Sequence, residues 1–178
     1  MNAIPEALKQ RLLKVKLVLI DNDAVLTDGR IVYGDYGDEL KFFDVQDGFG
    51  LGLLCDAGFP VIVVSGKKSR INNRRAKELR VTKLYQKVTD KLKIFEKVIK
   101  KYKISPEETL YIGDDLIDLP VLRRAGFAAA VANAVPEVRE AAHYVTERSG
   151  GRGAVREVID LLLKTQGKWI AVTEKYFR

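Results

Sequence analysis

The stretch LVLIDNDAVLT, residues 17–27, decides the fold of this chain. It begins with a run of apolar, mostly branched residues, which is typical of a central strand buried on both faces of a parallel sheet. Asp21 and Asp23 follow at the carboxyl end of this strand, where open α/β sheets bind their ligands. Side chains two residues apart on an extended chain point the same way, so both carboxylates are expected to face one ligand.

These carboxylates have two interpretations. Asp and Asn side chains often accept hydrogen bonds from nearby backbone amides, so the pair taken alone is equally consistent with a capping turn. A second acidic cluster, LYIGDDLID at residues 110–118, also follows an apolar strand. Two strands that each end in carboxylates favour one site for a hard cation, because Mg²⁺ prefers oxygen ligands.

Four short motifs stand in chain order: a D-x-D-x-V segment at 21–25, a strand ending in Ser-Gly at 61–66, Lys91, and a G-D-D-x-x-D segment at 113–118. Together they resemble the haloacid dehalogenase superfamily of phosphohydrolases. Strands and helices alternate along the chain without repeats or low-complexity linkers, which predicts one three-layer α/β domain. The resemblance implies a Rossmann-like parallel sheet for this domain.

Within the superfamily, the chain is most similar to the small phosphatases of 3-deoxy-D-manno-octulosonate 8-phosphate and of nonulosonate 9-phosphates. The similarity covers residues 17–167 and rests on LTDG at 26–29, DKL at 90–92, GDDLID at 113–118 and GGRGAVRE at 150–157. It implies a Mg²⁺ cofactor, a phosphorylated sugar acid as substrate, and a homotetramer in which neighbouring subunits help to close each active site.

The resemblance also implies roles for individual residues. Asp21 would attack phosphorus and form an aspartyl-phosphate, and Asp23 would protonate the leaving oxygen and later activate water. Mg²⁺ would be held by the Asp21 carboxylate, the Asp23 backbone carbonyl and Asp114. The phosphoryl group would be bound by Ser65, Gly66 and Lys91. Asp118 would orient the metal shell. Asp115 would either help to orient that shell or cap a helix.

The residues implied to face the substrate are Gln46, Asp47, Gly48, Lys67 and Arg75. Octulosonate 8-phosphate phosphatases typically have arginines at positions 46, 52 and 67, whereas this chain has Gln46, Gly52 and Lys67 and retains only Arg75. A guanidinium binds a carboxylate through two hydrogen bonds, which Gln and Lys do not reproduce. The nonulosonate branch also lacks the first two arginines, but it usually has an acidic residue at position 67. The substrate therefore stays open between the two branches.

Two further departures lie beside the nucleophile. The family usually has a branched apolar residue and a glycine at the positions of Asn22 and Ala24. Neither change removes a catalytic group. Alanine, however, does not adopt every backbone angle that glycine adopts.

Size and composition favour a single domain, residues 1–178, without a large cap. The chain has 178 residues, of which 47% are hydrophobic, and no apolar run approaches the roughly 20 residues of a membrane span. The N-terminus lacks a signal-peptide pattern, so we expect a cytoplasmic protein without a membrane partner. The single Cys55 is predicted to be a core residue and the single His143 to be structural.

The net charge of +7 permits nucleic-acid binding, but we predict no nucleic-acid partner. Glu96 stands four residues before Lys100, and the intervening apolar residues supply a buried stripe, so this helix presents a solvated basic face. The lysines concerned are Lys93, Lys97, Lys100, Lys101 and Lys103. Positive charge equally suits a multiply anionic sugar phosphate, so charge alone does not discriminate.

Three further segments have predicted structures: an insertion, a glycine-rich loop and the C-terminal tail. Residues 30–44 are expected to form a β-hairpin, with strands 30–33 and 39–44, that is the only candidate for a cap. Residues 150–153 are either an anion-binding loop or a plain turn. The C-terminal tail, residues 167–178, is either a lid or a frayed end. The other predicted helices are 5–14, 48–57, 69–79, one from about 90, 120–125, 136–142 and 154–164, and the other strands are 59–64, 83–85, 127–131 and 144–146.

Three functions follow from the sequence. The leading one is a Mg²⁺-dependent phosphomonoesterase acting on a sugar-acid phosphate. The second is an inactive phosphatase-like module, against which the retention of Asp21, Asp23, Ser65, Lys91 and Asp114 argues. The third is a basic nucleic-acid-binding protein, which predicts steeply salt-dependent association and no need for Mg²⁺.

Overall fold

The computed structural model describes residues 4–178, so residues 1–3 of the predicted domain lie outside it. The strands in chain order are β1 (Leu17–Asp21), β2 (Val32–Tyr33), β3 (Glu39–Leu40), β4 (Val61–Val64), β5 (Lys83–Tyr85), β6 (Thr109–Gly113), β7 (Phe127–Ala130) and β8 (Tyr144–Val145). Six of them form a parallel sheet in the order β5-β4-β1-β6-β7-β8. Helices flank this sheet, which confirms the predicted α/β fold.

The helices are α1 (Glu6–Lys14), α2 (Val45–Asp56), α3 (Arg70–Glu78), α4 (Lys91–Tyr102), α5 (Leu119–Leu122), α6 (Pro136–Ala141), α7 (Ala154–Thr165) and α8 (Trp169–Thr173). Most bounds agree closely with the prediction. Helix α2 begins three residues earlier than predicted, because the Asp44 side chain accepts hydrogen bonds from the backbone N–H groups of Gln46 and Asp47. A cap of this kind satisfies amides that have no partner within the helix.

The register of β1 positions the functional residues. All five residues of β1 are buried, as expected for a strand with neighbours on both sides. Asp21 lies opposite Val64 of β4, and Ile20 lies opposite Ile112 of β6. Because the three strands are parallel, the segments that follow them start at the same edge of the sheet.

The hairpin insertion is shorter than predicted. Its strands pair Val32 with Leu40 and Tyr33 with Glu39, and the chain then returns to the body through an antiparallel bridge between Thr27 and Phe43. A two-stranded ribbon without a covering layer is marginal in water, which explains why only two residues of each strand pair.

The C-terminal tail is folded, which corrects the expectation of a frayed end. After α8, residues Glu174–Tyr176 form one 3₁₀ turn that packs on α2. The ring of Tyr176 meets that of Phe49 edge-on at 5.3 Å, and the ammonium of Lys175 lies 3.6 Å from Asp56. The tail therefore rests on α2 in this structure.

His143 and Cys55, for which the sequence predicts no catalytic role, each contact a backbone group. His143 accepts a hydrogen bond at Nδ1 from the backbone N–H of Ala128 at 2.9 Å, and burial lowers its pKa. The Cys55 thiol lies 3.6 Å from the carbonyl oxygen of Arg80, and burial raises its pKa. Among the helices of residues 4–178, none has the length and apolar character needed to cross a membrane.

Candidate active site

A buried ammonium joins the two acidic strand ends. Lys91 is the first residue of α4, which begins there because Asp90 caps it. Its Nζ atom lies 2.5 Å from Asp21 Oδ1 and 2.6 Å from Asp118 Oδ1. Burial alone would lower the pKa of Lys91, but the charges of the two carboxylates outweigh it and raise the pKa above its usual range. Lys91 is therefore a fixed positive charge beside Asp21, and its implied role in phosphoryl binding stays a prediction.

Asp118 supports this arrangement. Its Oδ1 atom also accepts a hydrogen bond from the Tyr111 hydroxyl, and its Oδ2 atom accepts from the backbone N–H groups of Asp114 at 3.1 Å and Asp115 at 3.4 Å. The side chain is fully buried. These contacts favour an orienting role for Asp118. The exposed Asp115 accepts from the backbone N–H of Leu116 at 2.7 Å, which favours its capping alternative.

Three carboxylates form a group that fits a divalent cation. Asp21, Asp114 and Asp118 each offer an oxygen within 4.8 Å of the others. Burial and the charge of Asp118 raise the pKa of Asp21 well above its usual range and that of Asp114 to about 7. Three carboxylates around the one ammonium of Lys91 leave two negative charges unbalanced. One Mg²⁺ ion supplies that charge, and oxygen ligands are those it prefers.

The Asp23 carboxylate lies outside this group and has its own partners. Its Oδ2 atom accepts from Ser65 Oγ at 2.8 Å, and its Oδ1 atom accepts from the Lys41 ammonium and from Asn22 Nδ2 at 3.2 Å. Burial raises the pKa of Asp23, but the hydrogen bonds from Lys41 and Ser65 outweigh it, so the pKa lies below its usual value. Sequence reasoning missed Lys41, because its contact crosses from the hairpin to another element.

Ser65 and its neighbours follow β4. The Ser65 side chain is buried, and its backbone N–H donates to the carbonyl of Tyr85 at 2.9 Å. Its Oγ atom also accepts from the backbone N–H of Lys67 at 3.2 Å. Gly66 and Lys67 are exposed. The structure thus brings Ser65 to Asp23 and leaves the amide of Gly66 and the side chain of Lys67 at the surface.

Asp47 has a different environment from the one predicted. Its side chain is buried, and its carboxylate accepts from the backbone N–H groups of Gly153 at 3.2 Å and Arg156 at 2.8 Å. These amides belong to the start of α7, where free N–H groups need acceptors. Burial raises the pKa of Asp47 to about 6. This environment is that of a helix cap, so we leave Asp47 out of the proposed substrate site.

Arg75 lies over the start of α2. Its NH2 group is 3.4 Å from the carbonyl oxygen of Asp44, and its guanidinium is 5.5 Å from the centre of the Phe43 ring. A Cβ atom on Gly48 would stand 2.4 Å from this NH2 group, so glycine leaves the space that Arg75 occupies. Gly48 therefore contributes to the site by its small size.

Two arginines contact residues 46 and 52, the sequence positions at which the resembled family typically has arginines. Arg148 donates to Gln46 Oε1 at 2.6 Å, and Arg80 donates to the carbonyl of Gly52 at 3.1 Å. Arg80 is held there by Asp56 at 2.9 Å. Sequence reasoning missed both arginines, because the partners are 102 and 28 residues apart in the chain.

Two neighbouring cavities, of about 470 and 530 Å³, lie along the hairpin return and the start of α2. They share Phe42, Phe43 and Val45. Lys41 and Arg75 line the first cavity, and Gln46, which holds Arg148, lines the second. We name residues 41–46, Arg75 and Arg148 the cationic rim. It extends from the contact with Asp23 outward to the surface.

The glycine-rich loop 150–153 packs against the loop that follows β1. A Cβ atom on Gly150 would lie 1.7 Å from the Ala24 carbonyl oxygen, and one on Gly151 would lie 2.3 Å from the Asp28 nitrogen. The Gly151 N–H donates to the carbonyl of Val25 at 2.9 Å. These contacts favour the plain structural turn over the anion-binding loop. Ala24 itself has a φ of 69°, in the left-handed region that favours glycine.

Comparison with known proteins identifies the family. A family model of haloacid dehalogenase-like hydrolases matches residues 65–159. The 3-deoxy-D-manno-octulosonate 8-phosphate phosphatase of Escherichia coli (strain K12) is 45% identical over 154 residues, which are 86% of this chain and 82% of the relative. The chain belongs to the haloacid dehalogenase-like hydrolases. The family predicted from the four motifs is thereby confirmed.

Solved structures of other haloacid dehalogenase-like hydrolases match nearly the whole chain. A probable YrbI family phosphatase from Pseudomonas syringae pv. phaseolica is 42% identical with a TM-score of 0.95, covering 98% of this chain and 99% of that one. The 3-deoxy-D-manno-octulosonate 8-phosphate phosphatase from Moraxella catarrhalis, in complex with magnesium, phosphate and KDO, is 39% identical with a TM-score of 0.94, at the same coverage.

Proposed function

We propose that this chain is a Mg²⁺-dependent phosphatase that hydrolyses 3-deoxy-D-manno-octulosonate 8-phosphate to the free sugar acid and phosphate. The observation that carries the proposal is the group of Asp21, Asp114 and Asp118 around Lys91, next to the pair of Asp23 and Ser65. The named activities of the relatives from Escherichia coli and Moraxella catarrhalis support the substrate.

The residues of the site have complementary tasks in two steps. Asp21 attacks phosphorus while the bond from phosphorus to the sugar oxygen breaks, and the protonated form of Asp23, which its lowered pKa makes the minor one, gives that oxygen its proton. Water then attacks phosphorus as the bond to Asp21 breaks, and Asp23 takes the proton from this water. Lys91, Ser65 and the Gly66 amide hold the phosphoryl oxygens. Mg²⁺, held by the Asp21 carboxylate, the Asp23 carbonyl and Asp114, would neutralise charge that develops on them.

The cationic rim is the proposed site for the sugar acid. Arg75 and Arg148 offer guanidinium groups for the substrate carboxylate, and exposed Lys67 adds a further positive charge near Ser65. A nonulosonate 9-phosphate is the second candidate substrate, because neither Gln46 nor Gly52 carries a guanidinium of its own. The product would enter carbohydrate biosynthesis, that of lipopolysaccharide for the first candidate, in the cytoplasm.

A homotetramer that assembles through the hairpin is part of this proposal. The hairpin and its return expose large apolar side chains: Ile31, Tyr33, Tyr36, Leu40, Phe42 and Val45, with exposed fractions from 49% to 99%. Several large apolar side chains exposed on one short segment favour a contact with another protein chain. Light scattering after size-exclusion chromatography tests the assembly, and a monomer of about 20 kDa at micromolar concentration would contradict it.

The function is tested by phosphate release from three compounds: 3-deoxy-D-manno-octulosonate 8-phosphate, a nonulosonate 9-phosphate and an aryl phosphate. Each is measured with Mg²⁺, with EDTA, and with Asp21→Asn as the blank. We expect the first compound to be preferred, with activity that requires Mg²⁺ and disappears in the blank. Preference for the second would identify the other branch. Release from none of them would refute the phosphatase and leave the inactive module or the nucleic-acid-binding protein.

A further inference from the structure

Lys41 connects the hairpin to the active site. It follows β3 directly, and the bridge between Thr27 and Phe43 brings it beside the loop that begins with Asp23. Its ammonium contacts Asp23 Oδ1 and lies 3.7 Å from Glu39. The hairpin thus reaches the active site through one side chain.

The Lys41 side chain is only 2% exposed, whereas that of Asp23 is 36% exposed. Removing an ammonium from water is costly unless it is paired. Most lysines of this chain avoid that cost by staying at the surface, as Lys93 does with 82% of its side chain exposed. The buried ammonium of Lys41 therefore depends on its pairing with Asp23, whereas a lysine at the surface keeps its contact with water.

The contacts of Asp23 fix both of its oxygens from opposite elements. Ser65, after β4, holds Oδ2 at 2.8 Å, and Lys41, after β3, holds Oδ1. Asn22 adds a longer contact of 3.2 Å to Oδ1. Without Lys41, the Oδ1 side of the carboxylate would keep only this contact from its chain neighbour, and the side chain could turn about its bond to the backbone.

We propose that Lys41 is a positioning residue that holds Asp23 where it meets the leaving oxygen, so that the hairpin takes part in proton transfer. The inference rests on the proposed phosphatase function. In the first step the protonated form of Asp23 gives its proton to the sugar oxygen as the bond from that oxygen to phosphorus breaks, and the Asp23 carboxylate that remains keeps its contact with Lys41. This transfer requires a donor within hydrogen-bond reach of that oxygen, and Lys41 supplies the geometry without touching the proton.

The test compares Lys41→Met with the parent on two substrates that differ in their need for a proton. The sugar-acid phosphate that the parent prefers releases a poor alkoxide leaving group, whereas 2,4-dinitrophenyl phosphate releases a stable phenolate. We expect kcat/KM to fall about 100-fold for the sugar phosphate and less than about fivefold for the aryl phosphate. The ratio of the two rates does not depend on the fraction of folded protein, so partial unfolding cannot imitate this result.

Two variants complete the experiment. Lys41→Arg keeps the positive charge and should recover part of the sugar-phosphate rate, while Lys93→Met, on the exposed face of α4, should match the parent on both substrates. Equal losses on both substrates in Lys41→Met, or no loss on either, would overturn the proposal. Failure of the phosphatase function looks different, because the parent and Lys93→Met would then release phosphate from neither compound.

Discussion

The catalytic centre and the cationic rim are built in opposite ways. At the centre, Asp21, Lys91 and Asp118 are buried and held at 2.5 to 2.6 Å; Asp21 ends β1, and Asp118 lies in the 3₁₀ turn that follows β6. At the rim, Gln46 and Arg148 are exposed, and each depends on a partner from a distant part of the chain. The difference teaches that the parallel strands and the segments directly after them fix the centre, whereas contacts between distant loops fix the rim that we propose for the substrate.

The largest effect should come from removing the charge at the centre. Lys91→Met leaves Asp21, Asp114 and Asp118 without their ammonium, so we expect activity to fall about 1000-fold and the free energy of unfolding to fall by about 3 kcal/mol. Phosphate release and urea unfolding measure the two effects. Lys93→Met is the matched control on the same helix. Activity within tenfold of the parent would show that the Lys91 ammonium is dispensable for phosphate release.

The same centre predicts a pH dependence of the metal-free protein. The pKa of Asp114 rises from 3.8 to about 7 on folding, so the folded state disfavours its ionised form. The unfolded chain then loses this proton first, and the contribution of Asp114 to stability, complete below pH 4, is lost as pH rises towards 7. Urea unfolding in EDTA across this range measures the decline. Mg²⁺ should reverse it, and Asp114→Asn should reduce it, leaving the part that comes from the raised pKa values of Asp21 and Asp47. A free energy of unfolding in EDTA that does not change with pH would contradict the raised pKa of Asp114.

At the rim we expect a smaller effect, confined to binding. Arg148→Ala should raise KM for the sugar-acid phosphate about tenfold, since a charged hydrogen bond contributes about 1.5 kcal/mol, and leave the aryl phosphate unchanged. The double variant Gln46→Arg, Arg148→Ala should restore binding, and Arg123→Ala, at an exposed site directly after α5, is the control. A loss of kcat on both substrates would place Arg148 in the chemistry instead.

The smallest effect is expected at Ala24, in the loop that follows β1. Ala24 has a φ of 69°, which costs a residue with a Cβ atom about 1 to 2 kcal/mol, partly offset by the greater freedom of glycine in the unfolded chain. We expect Ala24→Gly to raise the free energy of unfolding by about 0.5 kcal/mol in urea. Gly29→Ala, at a φ of 80°, is the opposite control and should destabilise. Destabilisation by Ala24→Gly would show that the alanine methyl group has a packing role.

The sequence predicted the sheet and the strand-end residues because each motif follows its strand directly. Once β1, β4 and β6 are parallel neighbours, Ser65 and Asp114 must start at the edge where Asp21 stands. Lys41 and Arg148 were not predictable in this way. Their partners belong to other elements, and neither hydrophobic periodicity nor a capping motif indicates which two loops will come into contact.

The tail and the start of α2 differed from the prediction for a related reason. Tyr176 is ordered by a ring on α2, and Asp44 caps α2 although it was predicted to end the hairpin. Both depend on which surface the neighbouring segment offers. The apolar residues of a terminal segment do not by themselves indicate which surface it will contact.

The close packing of Gly150 and Gly151 on the loop after β1 has a consequence for how the protein is made. Asp21 is synthesised long before Gly150 and Gly151, which brace the loop that follows it. A nascent chain that stops before them cannot complete this loop, however well β1 has already paired. We therefore expect products that end before residue 150 to lack phosphatase activity even where the sheet has formed.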